Sequence, residues 1–544
     1  MLSSISTSLF PHVHHHHHPD FQLLPLSLLL ALLSLIILVS YCLNLSLLPK
    51  LSTKRQAALP PGPGHSLGFP FLGNFFLLGH SPHVSLRLLA KKFGPIMYLR
   101  LGQIPCVVVS SADMVRACFK ENDQAFAGRP HYAYGKHLMY NCKGIGFAQY
   151  GPRWIHMRKI CTSQLFSAKS FESFSHARAQ EISSMVRSIW VAYQKQEQVN
   201  VSQMVFAMAA NNISNMVMGE RIVEWTSTLS PKAQEFKQMI NDFFWLVGVF
   251  NLGDHIPFLR PFDLQGYEKK MKQLHKKLDA FWEEKIQEHC RSKCSKGGHF
   301  LDFLISFTAS TTPEAERLSL DDIKGALMDL FAAGTDTTSV AVEWAMSEVL
   351  NNKDVLKKAQ EELEQVVGNT SMVQESHLHR LKYLQAIVKE SLRLHPPSPL
   401  LGAREALESC QIGGYMIPKG TRLIVNEWCL GRDESVWERP TDFLPERFLQ
   451  TQMDVRGQNF ELIPFGGGRR ICMGLPLALC NVQLSLANLL HCFDWQLPTH
   501  DQALDMSHKF AGTTLPKAIP LLVMPTPRLP NEFYSREFTQ GELI

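Results

Sequence analysis

Three apolar stretches of different character organise the chain. The first, Phe21 to Leu48, holds no Asp, Glu, Lys or Arg over 28 residues, longer than the ~20 a helix needs to cross a bilayer. It predicts a transmembrane anchor helix at 21–48, behind a His-rich tail at 1–20. Lys50, Lys54 and Arg55 follow at once, and no acidic residue lies between Asp20 and Asp113, so the positive-inside rule puts the downstream body in the cytosol. A cleaved signal peptide is the competing reading. The run is long for one, and no clear small-residue cleavage site precedes the basic residues. The second stretch, Asp321 to Leu350, mixes small and apolar residues and predicts one long helix. The third, Leu475 to Cys492, predicts another. Elsewhere, polar pairs stand at helical spacing: Trp154 with Arg158 and Glu390 with Arg393.

Pro60-Pro61-Gly62-Pro63-Gly64, then Gly68, Pro70 and Gly73, stiffen and kink the chain after the anchor. The domain reading is therefore a tail at 1–20, an anchor at 21–48, a basic and Pro/Gly-rich hinge at 49–74, one catalytic body at 75–529 and a C-terminal tail at 530–544. No internal repeat divides the body. A 45% hydrophobic content supplies a sizeable core, and the net charge of +5 without a Lys/Arg block argues against nucleic acid. The 12 cysteines show no framework spacing, which favours a reduced compartment. His289, Cys290, Cys294 and His299 cluster, but not at the spacing of a zinc finger.

The densest chemistry lies at Pro464-Phe465-Gly466-Gly467-Gly468-Arg469-Arg470-Ile471-Cys472-Met473-Gly474. A lone cysteine in a turn is commonly buried and inert. Here three glycines allow a tight backbone, Arg470 offers a fork for a carboxylate, and a helix begins just beyond the thiol. That set suits a thiolate ligand to haem iron, which favours O–O cleavage. In the long helix, Ala333-Gly334-Thr335-Asp336-Thr337-Thr338 breaks the apolar pattern. A threonine hydroxyl there can bond back to a carbonyl and open the helix locally; capping or a solvated polar cluster is the plainer alternative.

Phe465-x-x-Gly468-x-Arg470-x-Cys472-x-Gly474 resembles the cysteine loop of the cytochrome P450 family. Ala333 to Thr338, Glu390-x-x-Arg393 and Pro440-x-x-Phe443-x-Pro445-Glu446-Arg447-Phe448 resemble three further family motifs in the family's order. The likeness runs from about Pro60 to Leu529. It implies a mainly α, single-domain haem-thiolate fold with small β-sheets. It implies haem b as cofactor, with Cys472 as the axial ligand of its iron and Arg470, Trp154, Arg158, Arg404 and Phe465 around it. Arg404 follows Ala403, where plant relatives often have proline. Thr337 and Asp336 would manage oxygen and protons, and Glu390, Arg393 and Arg447 would form a structural triad. Electrons would come from NADPH through a separate reductase flavoprotein, because the chain has no dinucleotide site of its own. The body would sit on the endoplasmic reticulum membrane, facing the cytosol.

Phe166-Ser167-Ala168-Lys169, Glu343-Trp344-Ala345 and Tyr415-x-Ile417-Pro418-Lys419-Gly420-Thr421 resemble the plant A-type microsomal members. Gly248 to Phe281 is similar to plant flavonoid and phenolic hydroxylases. The implied pocket draws on Tyr132–Phe147, Phe206–Met218, Phe243–Asn251, Leu330–Thr338, Ser398–Ala403 and Phe510–Leu515. Its apolar members, such as Phe243, Phe244, Trp245, Leu400 and Leu401, favour a lipophilic plant metabolite. The expectation leans to hydroxylation of a terpenoid, with a flavonoid or other phenolic as the alternative. A haem-thiolate isomerase or dehydratase, or a non-catalytic haem protein, is the reading of another type.

Overall fold

The computed structural model describes residues 58–64, 72–225, 229–291, 299–309, 312–314, 316–497 and 504–539. The expected tail at 1–20, the anchor at 21–48 and much of the hinge lie outside the described residues. The body is mostly helical. Its longer helices are α1 (Pro82–Phe93), α2 (Pro152–Gln164), α3 (Ser175–Gln194), α4 (Val201–Met218) and α5 (Pro231–Gly248). They continue with α6 (Tyr267–Arg291), α7 (Leu320–Asn351), α8 (Lys353–Val367), α9 (Lys382–Leu394) and α10 (Leu475–Cys492).

The sheets are small. Strands β1 (Ile96–Leu101), β2 (Ile104–Val109), β4 (Arg404–Glu405) and β7 (Arg422–Val425) form one sheet in the order β1-β2-β7-β4. Strand β3 (Val199–Asn200) pairs with β9 (Leu522–Pro527), which pairs with β8 (Phe493–Gln496). Strands β5 (Cys410–Ile412) and β6 (Tyr415–Ile417) make a hairpin.

Helix α7 is the axis of the fold. It starts at a capping box in which Ser319 and Asp322 satisfy each other's backbone amides, with Asp321 and Asp322 favourable at the positive end. Its small residues let α4 and α10 lie close, and it is buried over most of its length. On one flank, Val342, Met346 and Val349 join residues of α3, α8, α9 and α10 in the larger core. On the other, Phe331 meets Trp282 of α6 at 4.9 Å between ring centroids, beside Phe236 of α5. Among the described residues, α10 alone is long and apolar enough to cross a membrane, and it is a core helix buried in the body.

Glu390 and Arg393 of α9 are fully buried and doubly bonded, at 2.7 Å for both contacts. Arg447 donates to the same carboxylate at 3.0 Å, and so does the Leu444 amide at 2.9 Å. The remaining Arg393 donors reach the carbonyls of Gly431, Pro440 and Asp442. This network ties α9 to the segment leading into the Cys472 loop. The stretch read as a C-terminal tail is helical over Asn531–Thr539, and Phe533 and Tyr534 are buried in the larger core.

Candidate functional site

A cavity of about 540 Å³ opens between α7, the start of α10 and the sheet. Cys472 stands on its floor. The loop turns back on itself through the Cys472 amide, which donates to the Phe465 carbonyl at 3.0 Å. Gly466 and Gly468 have φ of 71° and 63°, the left-handed region that glycine enters without penalty. A Cβ on Gly468 would also stand 2.7 Å from the Phe119 carbonyl oxygen. Cys472 is exposed by area although it is deep in the protein, because the face it shows is turned to the cavity. Burial pushes its thiol up, while the Gly474 amide, the Arg158 charge and the Leu475 amide favour the thiolate. Cys106 also lines the cavity, but burial pushes its thiol up to about 12.

Around Cys472 the cavity is strongly cationic. Arg129, Arg158, Arg404 and Arg470 all line it, and Asp329 is its single lining carboxylate among the described residues. Burial and mutual repulsion, with Arg129 the first charged cause in each case, bring Arg404 and Arg470 down to about 9. Arg404 donates to Gly467 at 2.7 Å, and Arg470 to Ala127 at 2.8 Å and Ala148 at 2.7 Å. One terminal nitrogen of each, Nη1, is buried with no partner. Buried guanidinium nitrogens without acceptors are costly, so the site suits a guest that brings carboxylates. A thiol at the floor, unpaired cationic donors at the rim and an apolar space between them match the donor set of haem.

Trp154 and Arg158 both line the cavity, one turn apart on α2. The Arg158 guanidinium donates to Ile471 at 2.8 Å, inside the cysteine loop. The Trp154 indole N–H is engaged by the Ile145 carbonyl at 2.9 Å, so Trp154 presents its ring, with Arg470 4.3 Å from the ring centre. That differs from a propionate contact through the indole nitrogen. Phe465 lines the cavity beside the loop.

On the opposite wall stand Ala333, Gly334, Thr337 and Thr338 of α7. The Thr337 hydroxyl bonds back to the Ala333 carbonyl at 2.6 Å, and Thr338 to Gly334 at 2.9 Å. The expected local opening is nevertheless missing: α7 runs unbroken from Leu320 to Asn351, held from both flanks. Asp336 is off the cavity wall. Burial pushes its carboxyl up, and Thr514 and Lys237 partly oppose that.

All six segments expected to shape the pocket contribute, through residues such as Phe147, Ile213, Phe244, Leu330, Leu401 and Phe510. Trp245 does not; it lies at the surface with Lys270 over its ring. Two charged lining residues escaped the sequence reading, Arg129 and Asp329. The signal for Asp329 was a carboxylate inside an apolar run, Leu327-Met328-Asp329-Leu330-Phe331, where a buried charge is rare without a task.

The chain matches the family model described as Cytochrome P450 over residues 60–523. It is 41% identical over 485 residues to a flavonoid 3',5'-hydroxylase of Eustoma exaltatum subsp. russellianum, covering 88% of this chain and 93% of that protein. It is 40% identical over 517 residues to a flavonoid 3'-monooxygenase of Petunia hybrida, covering 93% and 99%. It is 42% identical over 486 residues to a flavonoid 3',5'-hydroxylase of Solanum melongena, covering 88% and 93%. Among solved structures, a zebrafish cytochrome P450 determined with abiraterone has a TM-score of 0.69 at 26% identity, covering 83% of this chain and 100% of that one. Matched over the whole body that carries the cysteine loop and its cationic cavity, the chain belongs to the cytochrome P450 family, oxygen-dependent monooxygenases that use haem iron and electrons passed from NADPH through a reductase.

Proposed function

We propose that this enzyme hydroxylates the aromatic ring of a flavonoid or a closely related phenolic. The observation that carries this reading is the likeness, at 40–42% identity over most of the chain, to flavonoid hydroxylases of three plants. The cavity agrees with it: Tyr132, Tyr134, Phe147, Phe243 and Phe244 give it several aromatic faces, suited to a flat aromatic guest. The lean toward a terpenoid rested on apolar residues alone and gives way to the phenolic alternative.

In this proposal Cys472 ligates the iron, and Arg158, Arg404 and Arg470 neutralise the haem carboxylates, with the Trp154 ring and Phe465 packed alongside. Bound there, a haem would supply the chemistry of O₂ reduction by electrons from NADPH, with one oxygen atom going to the substrate and the other leaving as water. The protein's own part is to bind, dry and protonate. The apolar wall excludes bulk water from the reacting centre. Thr337 lines the cavity; its hydroxyl proton goes to the Ala333 carbonyl, which leaves the hydroxyl oxygen free to accept a proton donor from the cavity. Asp336 stands one residue behind it, and burial pushes its carboxyl above the ordinary carboxylate value, the direction that suits a group taking up and passing on a proton. The 21–48 segment would tether the body to the endoplasmic reticulum, with the reductase docking from the cytosolic side.

Incubating reductase-supplemented microsomes with flavanones, flavones, terpenes and NADPH tests the reading by product mass. An NADPH-dependent gain of one oxygen on a flavonoid is expected; a gain on terpenes alone overturns the substrate class. Thr337→Ala is expected to keep its haem and to oxidise NADPH while the yield of hydroxylated product falls about tenfold or more. The ratio of product formed to NADPH consumed measures this. An unchanged ratio removes Thr337 from proton handling.

A further inference from the structure

Three of the cavity's aromatic residues, Tyr132, Tyr134 and Phe147, hang on one segment, 129–147. The rings of Tyr132 and Tyr134 stack 5.1 Å apart, and Phe147 meets Tyr134 edge-on at 5.1 Å. Apart from a short helix at Ala133–His137 the segment is irregular, with Tyr140, Asn141 and Cys142 in left-handed conformations. Irregular segments of this kind are the mobile part of most folds unless something fixes them.

Here two charged side chains on the cavity wall, both half-buried, fix it. The Arg129 Nε donates to the Gly146 carbonyl at 3.0 Å, and its Nη1 donates to Gly402 at 2.7 Å and Ala403 at 2.6 Å, across the cavity mouth. From the other side, Asp329 of α7 accepts from the Ile145 amide and, at 2.9 Å, from the Gly146 amide. One peptide turn is thus gripped by a guanidinium on its carbonyl and by a carboxylate on its amides. Gly144 makes the approach possible, since a Cβ there would overlap the Asp329 carboxylate and stand 2.8 Å from the Gly325 carbonyl oxygen.

Burial pushes the Asp329 carboxyl up to about 6; the Gly146 and Ile145 amides and the Arg129 charge hold it from rising further. A carboxyl raised above its unfolded value of 3.8 binds an extra proton in the fold, so stability falls as pH rises from 3.8 to about 6. The ionised group therefore costs global stability at neutral pH, while it orders one turn of the substrate wall. The groups facing it are Arg129, Cys142 of the turn and Cys161 of α2. Burial raises both thiols, that of Cys142 to about 11, so neither titrates near neutrality.

We propose that Asp329 is a specificity-determining positioning residue. With Arg129 it fixes the Ile145–Gly146 turn, and through it holds Tyr134 and Phe147 as a wall that admits a planar aromatic guest and disfavours a puckered aliphatic one of equal size. The selection rests on the phenolic reading above; the latch itself does not.

The experiment uses holoenzyme of wild type, Asp329→Ala, Asp329→Asn and Gly144→Ala. Hydrogen exchange of peptides spanning 143–149 reads the latch. Absorbance titration with a flavanone and with a sesquiterpene alcohol of similar size reads selection. In Asp329→Ala the Ile145 and Gly146 amides are expected to exchange about tenfold faster or more, with haem content unchanged and the preference for the flavanone reduced about tenfold. Asp329→Asn, which keeps one acceptor oxygen, is expected to fall between. Gly144→Ala is expected to match Asp329→Ala by displacing the carboxylate from the opposite side, and it carries the test if Asp329→Ala does not fold. The wild-type preference should weaken as pH drops through about 6, and this dependence should vanish in Asp329→Asn. Wild-type exchange in the variants overturns the latch. Faster exchange with an unchanged preference overturns its role in selection. Wild-type protein that prefers the terpenoid, with its amides protected, counts against the phenolic reading alone.

Discussion

Cys472→Ser is expected to fold and to show no measurable hydroxylation. The substitution removes one soft, polarisable ligand atom and almost no volume. A serine hydroxyl does not ionise near neutral pH, so the Gly474 and Leu475 amides that favour the thiolate would have no anion to hold. The electron donation that favours O–O cleavage would be lost with it. Haem is expected to associate still, because Arg158, Arg404 and Arg470 and the apolar wall remain. The spectrum of a thiolate-ligated haem should disappear while total haem stays measurable, and product should fall to background. Cys106→Ser is the matched control. Cys106 lines the same cavity, but its thiol is held protonated by burial, and activity within about threefold of wild type is expected. Loss of activity in both variants, or in neither, would break the assignment of Cys472 as the ligand.

Why the setting of Cys472 could be read from the sequence and the partners of Asp329 could not is a matter of range. The cysteine loop is a local device: its glycines, arginines and helix start lie within eleven consecutive residues, and each has a physical reason to be beside the thiol. The same holds for Trp154 with Arg158, one turn apart on α2. Helices α7 and α10 were legible for a related reason, since long apolar runs with clear starts override local propensity. The latch on the Ile145–Gly146 turn joins residues far apart in the chain, Arg129 with Gly402 and Asp329 with Gly146, and no periodicity announces such a meeting. Other misreadings came from context. Thr337 bonds back as its chemistry predicts, yet α7 stays continuous because its neighbours hold it. Trp245 follows two lining phenylalanines on α5, but a helix turns about 100° per residue, and that step carries it to the surface. The residues after 529 look like a polar tail until Phe533 and Tyr534 reach the core.

Arg393→Ala is expected to cost about 3–5 kcal/mol and to release haem, because it strands Oε2 of the Glu390 carboxylate in a site with no exposure to water, Arg447 and the Leu444 amide both bonding the other oxygen. Stability of a domain is only about 5–15 kcal/mol, so one such loss removes a large share of it. The geometry orders a series. Glu390→Ala should cost nearly as much, since Arg393 keeps the Gly431, Pro440 and Asp442 carbonyls but loses its counter-charge. Glu390→Gln should cost less, because an amide oxygen still accepts from the Leu444 amide and from one guanidinium. Arg447→Ala should cost least: its side chain is 13% exposed and Arg393 alone still neutralises Glu390. Urea midpoints of the four holoproteins give the order, with haem content read in parallel. Equal losses across the series would mean that burial does not set the cost and that the triad acts through its charge alone. Full stability in Arg393→Ala would mean that the segment running into the Cys472 loop is held by other contacts.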